Sequence, residues 1–170
     1  HNGNLVNAGK LRKQIELDGG IFRSSSDTEV LAYTIVRERL KCGSIEEAVL
    51  NSMYQVEGAY SLVVMSPRKM IAARDPHGFR PLCIGKLMHS YVFASESCAL
   101  DALGAEFIRD VEPGELIVIE DGEMRSMHCD IKCDHTMCVF EYIYFARPDS
   151  VVDGASVAYA RQEAGRYLFE

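Results

Sequence analysis

Apolar residues recur at helical spacing in two neighbouring stretches of the first third of the chain. Residues 28–41 place their apolar side chains toward one face and follow Ser26-Asp27, which predicts a helix with a polar N-cap. Ser44-Ile45-Glu46-Glu47 then has the form of a capping box, in which a serine and a glutamate satisfy backbone donors at a helix start. It predicts a second helix through about Tyr54, and the two helices form a compact pair.

Short apolar runs separated by turn residues fill the middle of the chain, where Asp121-Gly122 is a hairpin signal. A short helix over residues 96–103, capped by Ser95 and closed by Gly104, interrupts them, and residues 154–170 have a helical pattern. Strands do not alternate regularly with helices, so the pattern predicts an α+β fold with mostly antiparallel sheet. The predicted strands are residues 59–65, 69–74, 82–85, 90–94, 116–119, 123–127 and 139–145.

Composition narrows the class of protein. A length of 170 residues suits one domain, and 48% hydrophobic with 25% charged residues is ordinary for a globular protein. The net charge of −7 argues against nonspecific binding to nucleic acid or to an anionic membrane. No apolar stretch approaches the roughly 20 residues of a membrane helix. Six irregularly spaced cysteines favour reduced thiols in a cytoplasmic protein, with Cys42, Cys83 and Cys98 as buried small hydrophobes.

The first candidate chemistry lies in the opening polar turn, His1-Asn2-Gly3-Asn4. Acyl transfer places negative charge on a carbonyl oxygen, and fixed amide donors stabilise that charge. The Asn2 side-chain amide and the Gly3 backbone N–H are suitable donors, because glycine permits a close backbone approach. Asp27, at a helix start, is a carboxylate suited to a substrate ammonium group. A plain turn and a plain helix cap remain the alternatives.

Two other segments are rich in polar side chains. Residues 74–81, Arg-Asp-Pro-His-Gly-Phe-Arg-Pro, are interpreted as a supporting loop in which Arg74 and Arg80 pair with carboxylates such as Glu96. A catalytic role for His77 is the alternative. Residues 128–138 combine cysteine with histidine, but their C-x3-C-x4-C spacing lacks the C-x2-C pair that makes a zinc site specific.

The order of several motifs identifies a family. HNGNL, SSDTE, GAYSLVV, RDPHGFRPLCIG and FASESCALD occur in that sequence and together resemble the glutamine-hydrolysing domain of class II glutamine amidotransferases, which are N-terminal-nucleophile hydrolases. HNG alone would also suit asparagine synthetase, glutamate synthase or glucosamine-6-phosphate synthase. The string FEYIYFARPDS at residues 140–150 narrows the resemblance to the amidophosphoribosyltransferase family.

The resemblance implies a fold and a site. The fold would be a four-layer αββα sandwich, incomplete at its N-terminal side. Asn2 and Gly3 would form the oxyanion hole, and Asp27 would hold the α-amino group of glutamine. The nucleophile would be an N-terminal cysteine, with its own α-amine as base, located upstream of His1 together with an arginine for the glutamine carboxylate. We therefore expect a fragment without glutaminase activity of its own.

The resemblance also implies how the remainder is organised. Residues 1–150 would be a partial glutamine amidotransferase domain, and residues 151–170 the linker and first helix of a phosphoribosyltransferase domain. Ammonia from glutamine would pass to phosphoribosyl pyrophosphate, whose Mg²⁺ would belong to that second domain. Cys138 would be one ligand of a possible [4Fe–4S] cluster, and the parent would be a cytoplasmic homo-oligomer. Another class II amidotransferase, forming asparagine or an amino sugar, and a non-catalytic module of the same fold remain alternatives.

Overall fold

The computed structural model describes residues 1–169, and regular elements occupy most of this range. A π-helical turn spans Glu141–Phe145. The helices are α1 (Ala8–Leu17), α2 (Asp27–Arg39), α3 (Ile45–Met53), α4 (Ser97–Leu103) and α5 (Val157–Phe169). The strands are β1 (Asn2–Leu5), β2 (Gly58–Met65), β3 (Lys69–Arg74), β4 (Cys83–Leu87), β5 (Ser90–Ala94), β6 (Glu106–Asp110), β7 (Glu115–Glu120), β8 (Glu123–His128), β9 (Val151–Val152) and β10 (Ala155–Ser156).

The strands form two sheets and one small hairpin. The first sheet has five strands in the order β1-β2-β3-β7-β8, and the second has three in the order β5-β4-β6. Strands β9 and β10 pair only with each other. The pairings among residues 1–169 are antiparallel throughout, which confirms the predicted sheet type.

The core lies in three buried layers between four layers of secondary structure. Ile71 of β3 belongs to the cluster that packs the first sheet against the helices, together with Leu31 of α2. The next residue, Ala72, points to the opposite face and packs with Ile84 of the second sheet, because successive side chains of a strand alternate between faces. Leu100 of α4 then covers the outer face of the second sheet. This is the αββα sandwich that the resemblance implied.

The capping signals are confirmed for the two helices that cover the first sheet. Ser26 Oγ accepts the Thr28 N–H at 3.2 Å at the start of α2. Ser44 Oγ accepts the Glu47 N–H at 3.2 Å at the start of α3. These bonds satisfy donors that have no partner inside the helix. The predicted cap of α4 at Ser95 is wrong, because the N-cap residue is Glu96 and it makes no side-chain capping bond.

The opening segment is a strand, so its interpretation as a polar turn is wrong. Asn2 lies opposite Ser61 and Gly3 opposite Tyr60 in β2. Gly3 has φ +154°, and a Cβ added there would lie 2.0 Å from the Ala59 carbonyl oxygen. Glycine therefore allows β1 to approach β2 at a spacing that a side chain would prevent.

The run from Val139 to Phe145 was predicted as a strand and is instead a helical turn. The Ala146 N–H bonds to the Glu141 carbonyl, which is π-helical spacing. Short apolar runs do not distinguish a strand from a helix by periodicity alone. The Glu141 side chain is buried against Arg80, with Oε1 at 2.7 Å from Nη1, and this distant partner is not visible in the local pattern.

Besides β1, four elements were not predicted from the sequence: α1, β6, β9 and β10. In helix α1 only Ile15 is fully buried, and Ala8 and Leu11 are partly buried against the core; this i, i+3, i+7 spacing is helical, but no element was predicted there. Strand β6 pairs with β4, yet its apolar residues Phe107 and Ile108 are adjacent and both exposed, so the sequence shows no alternation there. The C-terminal segment begins with the β9–β10 hairpin before α5. No helix of the part of the chain described by the structure is long and apolar enough to cross a membrane.

Candidate active site

The backbone of β1 directs the Gly3 amide toward the open edge of the first sheet. Val6 donates its N–H to the Glu57 carbonyl at 2.8 Å on the β2 side. In an antiparallel pair the hydrogen-bonding direction alternates from residue to residue, so Asn4 and Asn2 face β2 while Leu5 and Gly3 face away. Gly3 therefore presents a backbone donor to whatever occupies the edge of β1.

Asp27 lies beside the same edge. Its Oδ2 accepts the Leu5 N–H at 2.9 Å, and its Oδ1 lies 3.8 Å from the Nδ1 of His1. The His1 ring nitrogen is also 2.8 Å from Thr28 Oγ1. Asp27 is the first residue of α2, where the helix dipole favours a negative charge. The structure thus brings β1 and Asp27 together, although 22 residues separate Leu5 from Asp27.

A cavity of about 360 Å³ opens beside Asn2 and contains side chains of both charges. Arg80 donates to Glu141 in its wall, and its guanidinium lies 4.9 Å from the centroid of the Phe145 ring. Such a cation above an aromatic face is favourable. The residues lining the cavity are Asn2, Arg80, Pro81, Ser95, Glu96, Glu141 and Phe145.

The loop at residues 75–81 is organised by Asp75, whose role sequence reasoning missed. Asp75 is fully buried, and its carboxylate accepts the N–H groups of Tyr60, His77 and Phe79 at 2.9–3.2 Å. A buried carboxylate is stable only when its hydrogen-bonding capacity is filled in this way. The supporting role predicted for the loop agrees with this geometry, and the signal was the Asp-Pro-x-Gly turn. The His77 ring contacts the Asp134 carbonyl at 3.2 Å.

The expected partners of the two loop arginines are different in the structure. Arg74 pairs with Asp153, and Arg80 pairs with Glu141. Glu96, the expected carboxylate, instead accepts the Arg147 N–H at 2.7 Å and the Ser150 hydroxyl at 2.8 Å. Both arginines pair with carboxylates, as predicted, but neither of them pairs with Glu96.

The cysteines differ in burial. Cys83 is buried, and that burial raises the pKa of its thiol to about 12, so it behaves as a small hydrophobe as predicted. Cys42 and Cys98 are only half-buried, so full burial is wrong for them. Cys138 is buried and donates its N–H to the Phe79 carbonyl at 3.1 Å. Residues 1–169 contain no group of three or more histidine, cysteine or acidic side chains that could hold a metal ion.

Comparison with known proteins agrees with the fold. A model of the glutamine amidotransferase domain family matches residues 1–102. The chain is 46% identical to the amidophosphoribosyltransferases of Methanocaldococcus jannaschii and Bacillus subtilis, over 99% of its length and over 39% and 35% of theirs. It also superposes on the B. subtilis glutamine phosphoribosylpyrophosphate amidotransferase solved with ADP and GMP, with a TM-score of 0.92 over 97% of this chain and 36% of that one.

The four-layer sandwich and this structural match define an N-terminal-nucleophile hydrolase fold. Within that class the chain belongs to the glutamine amidotransferase domain family. It spans between 35% and 39% of the length of the curated relatives compared above.

Proposed function

We propose that this chain forms the glutamine-hydrolysing part of an amidophosphoribosyltransferase. The reaction takes the amide nitrogen of glutamine as ammonia and transfers it to C1 of phosphoribosyl pyrophosphate. Glutamine, phosphoribosyl pyrophosphate and water give 5-phosphoribosylamine, glutamate and pyrophosphate, the first step of de novo purine synthesis. The observation that carries the proposal is the Gly3 amide, directed to the open edge of β1 beside Asp27.

The geometry supports a division of roles between the two ends of the glutamine molecule. Attack on the side-chain amide turns its carbonyl oxygen into an oxyanion, which the Gly3 N–H and the Asn2 side-chain amide stabilise. Asp27 binds the α-ammonium group, because its Oδ1 is not used by the Leu5 N–H. The proposal places the attacking thiol on an N-terminal cysteine outside residues 1–170, with its α-amine accepting the thiol proton.

Further features belong to the same proposal. Residues 151–170 begin the phosphoribosyltransferase domain, which binds phosphoribosyl pyrophosphate with Mg²⁺, and the enzyme is a cytoplasmic homo-oligomer. Cys138 is proposed as one thiolate ligand of a [4Fe–4S] cluster. Four thiolates are needed for such a cluster, and the described residues do not gather them. The cluster therefore does not fit this chain alone.

The protein expressed from its complete coding sequence tests the proposal. Glutamate and pyrophosphate should form in equal amounts when glutamine and phosphoribosyl pyrophosphate are both supplied, and ammonia should replace glutamine. The 170-residue chain alone should release no glutamate. Formation of asparagine or an amino sugar would show a different acceptor. A complete protein that hydrolyses no glutamine would indicate a non-catalytic module.

A further inference from the structure

A buried ion pair connects the C-terminal hairpin to the end of β3. The carboxylate of Asp153 binds both terminal nitrogens of Arg74, each at 2.8 Å. Arg74 is 1% exposed. Asp153 lies at the tip of the β9–β10 hairpin with φ +45°, followed by Gly154 with φ +78°. Bidentate pairing fixes both the distance and the orientation of the guanidinium.

The remaining donors of Arg74 hold the loop at residues 75–81 and the end of β6. Nε donates to the Arg80 carbonyl at 2.8 Å and Nη2 to the Gly78 carbonyl at 2.9 Å. Nη1 donates to the Val111 carbonyl at 2.8 Å. Because every donor direction of the guanidinium is used, a change in its position must displace the loop carbonyls.

The loop at residues 75–81 is in turn hydrogen-bonded to the two β2 residues that lie opposite Asn2 and Gly3. The Arg80 carbonyl also accepts the Ser61 hydroxyl at 3.2 Å, and Ser61 is the partner of Asn2 in the β1–β2 register. Asp75, next to Arg74, accepts the Tyr60 N–H at 3.2 Å, and Tyr60 is the partner of Gly3. Two short paths therefore run from Arg74 to the strand that supports both amide donors, one through the Arg80 carbonyl and one through the adjacent residue Asp75.

We propose that Asp153 is a positioning residue for the Asn2–Gly3 pair and acts through Arg74. The proposal rests on the proposed function insofar as these two residues stabilise the oxyanion. Asp153 lies in the hairpin that leads directly into α5. This hairpin is outside residues 1–102, the part of the chain that matches the family model. The placement of the amide donors thus depends on how this hairpin is held.

The variant D153N removes the charge of Asp153, which pairs with Arg74 and also lies 3.5 Å from the His135 ring, and keeps the rest of the hairpin. Asparagine tolerates a positive φ, so the turn is retained while the charge is lost. Other bonds keep the hairpin in place, because Val151 donates its N–H to Ser97 Oγ and Tyr142 donates its hydroxyl to the Val152 carbonyl. D121N is the matched control. Asp121 also precedes a glycine at a hairpin tip with a positive φ of 52°, and it is exposed.

Residue-resolved amide hydrogen exchange of the 170-residue chain is the first measurement. D153N should raise the exchange rate of the Tyr60 and Phe79 amides about tenfold and shift the Gly3 amide resonance. D121N should leave all three within about twofold. Changes confined to residues 151–156 would overturn the proposal. If D153N does not fold, D153E keeps the charge, displaces it by one methylene, and is judged by the same amides.

Kinetics of the protein from the complete coding sequence form the second measurement. D153N should lower kcat for glutamine hydrolysis about tenfold and leave KM for glutamine within about twofold, because the donors act on the oxyanion and not on bound glutamine. A general loss of stability would not produce this split in the folded fraction. If no variant hydrolyses glutamine, the proposed function fails, and the exchange data still decide whether Asp153 positions β1.

Discussion

Asp27 accepts a hydrogen bond from the backbone N–H of Leu5 at 2.9 Å, and this contact ties the first turn of α2 to the open edge of β1. The proposed site gives this single carboxylate two roles. One oxygen fixes the strand that carries Gly3, and the other, 3.8 Å from the His1 ring, lies where a ligand ammonium group would be attracted. The two roles can be separated by a substitution that keeps the acceptor and removes the charge.

D27N is such a substitution. Its amide oxygen can still accept the Leu5 N–H, but it no longer offers a charge to the α-ammonium group of glutamine. A hydrogen bond to a charged group contributes about 1.5–3 kcal/mol, so KM for glutamine should rise about 10- to 100-fold with kcat nearly unchanged. Steady-state kinetics of the complete enzyme measure this. D18N, which removes an exposed carboxylate paired with Arg37, is the control, and an unchanged KM in D27N would remove Asp27 from the site.

Asn2 should affect the rate and not the binding of glutamine. Loss of one oxyanion donor typically lowers kcat about 100- to 1,000-fold, so N2A should reduce kcat by this order while KM stays within a few-fold. N4A provides a comparison in the same strand, because Asn4 lines a different cavity. Equal losses of kcat in N2A and N4A would mean that the strand is disturbed as a whole and that Asn2 has no specific role.

Gly3 should be intolerant of any side chain. In G3A the added Cβ would lie 2.0 Å from the Ala59 carbonyl oxygen, so β1 must move away from β2. We expect a loss of about 2–3 kcal/mol in the free energy of unfolding, measured by urea denaturation. G9A is the matched change in α1, where an added Cβ meets no atom within 4 Å, and it should be neutral or stabilising. A G3A protein as stable as G9A would contradict the close approach.

Much of the fold could be predicted from sequence signals that involve only neighbouring residues. The caps at Ser26 and Ser44 and the turn at Asp121-Gly122 satisfy donors or dihedral angles within a few residues, so the sequence alone shows them. The strands of the first sheet were visible for a similar reason, because their apolar runs end at turn residues. The Asn2–Gly3 segment was not, since its polar composition indicates a turn and only pairing with β2 makes it a strand.

Long-range partners explain the remaining errors. Glu141 is 61 residues from Arg80, and Asp153 is 79 residues from Arg74, so neither pair leaves a trace in periodicity or spacing. The burial of Glu141 against Arg80 accompanies a helical turn where the apolar run indicated a strand. The role of Asp75 was hidden as well, because one of the N–H groups bonded to its carboxylate belongs to Tyr60 in β2, 15 residues away. Candidate residues could be found from motifs, but the groups that position them could not.

A cluster of charges at the far end of the first sheet gives a stability that should depend on pH. Glu46, in the first turn of α3, is 6% exposed and accepts hydrogen bonds from Lys69 at 2.9 and 3.1 Å and from Arg125. Burial alone would raise the pKa of Glu46, but the bonds from Lys69 and Arg125 outweigh it and lower the pKa to about 2. The cluster connects α3 to β3 and β8.

The pKa of Glu46 is lower in the folded chain than its ordinary value of 4.5, so its ionised form stabilises the fold. This contribution is complete above about pH 4.5 and is lost as the pH falls toward about 2. E46Q should therefore lower the free energy of unfolding at pH 7 by about 1–2 kcal/mol, since Lys69 and Arg125 lose the charge of Glu46 and keep only the more exposed Glu120 as a carboxylate partner. It should also flatten the acid side of the stability curve, measured by urea denaturation between pH 2.5 and pH 7. E123Q, at an exposed position of β8, is the control and should change neither the stability at pH 7 nor its pH dependence. If the stability of E46Q and of the unaltered chain falls in parallel as the pH is lowered, Glu46 is not the titrating group.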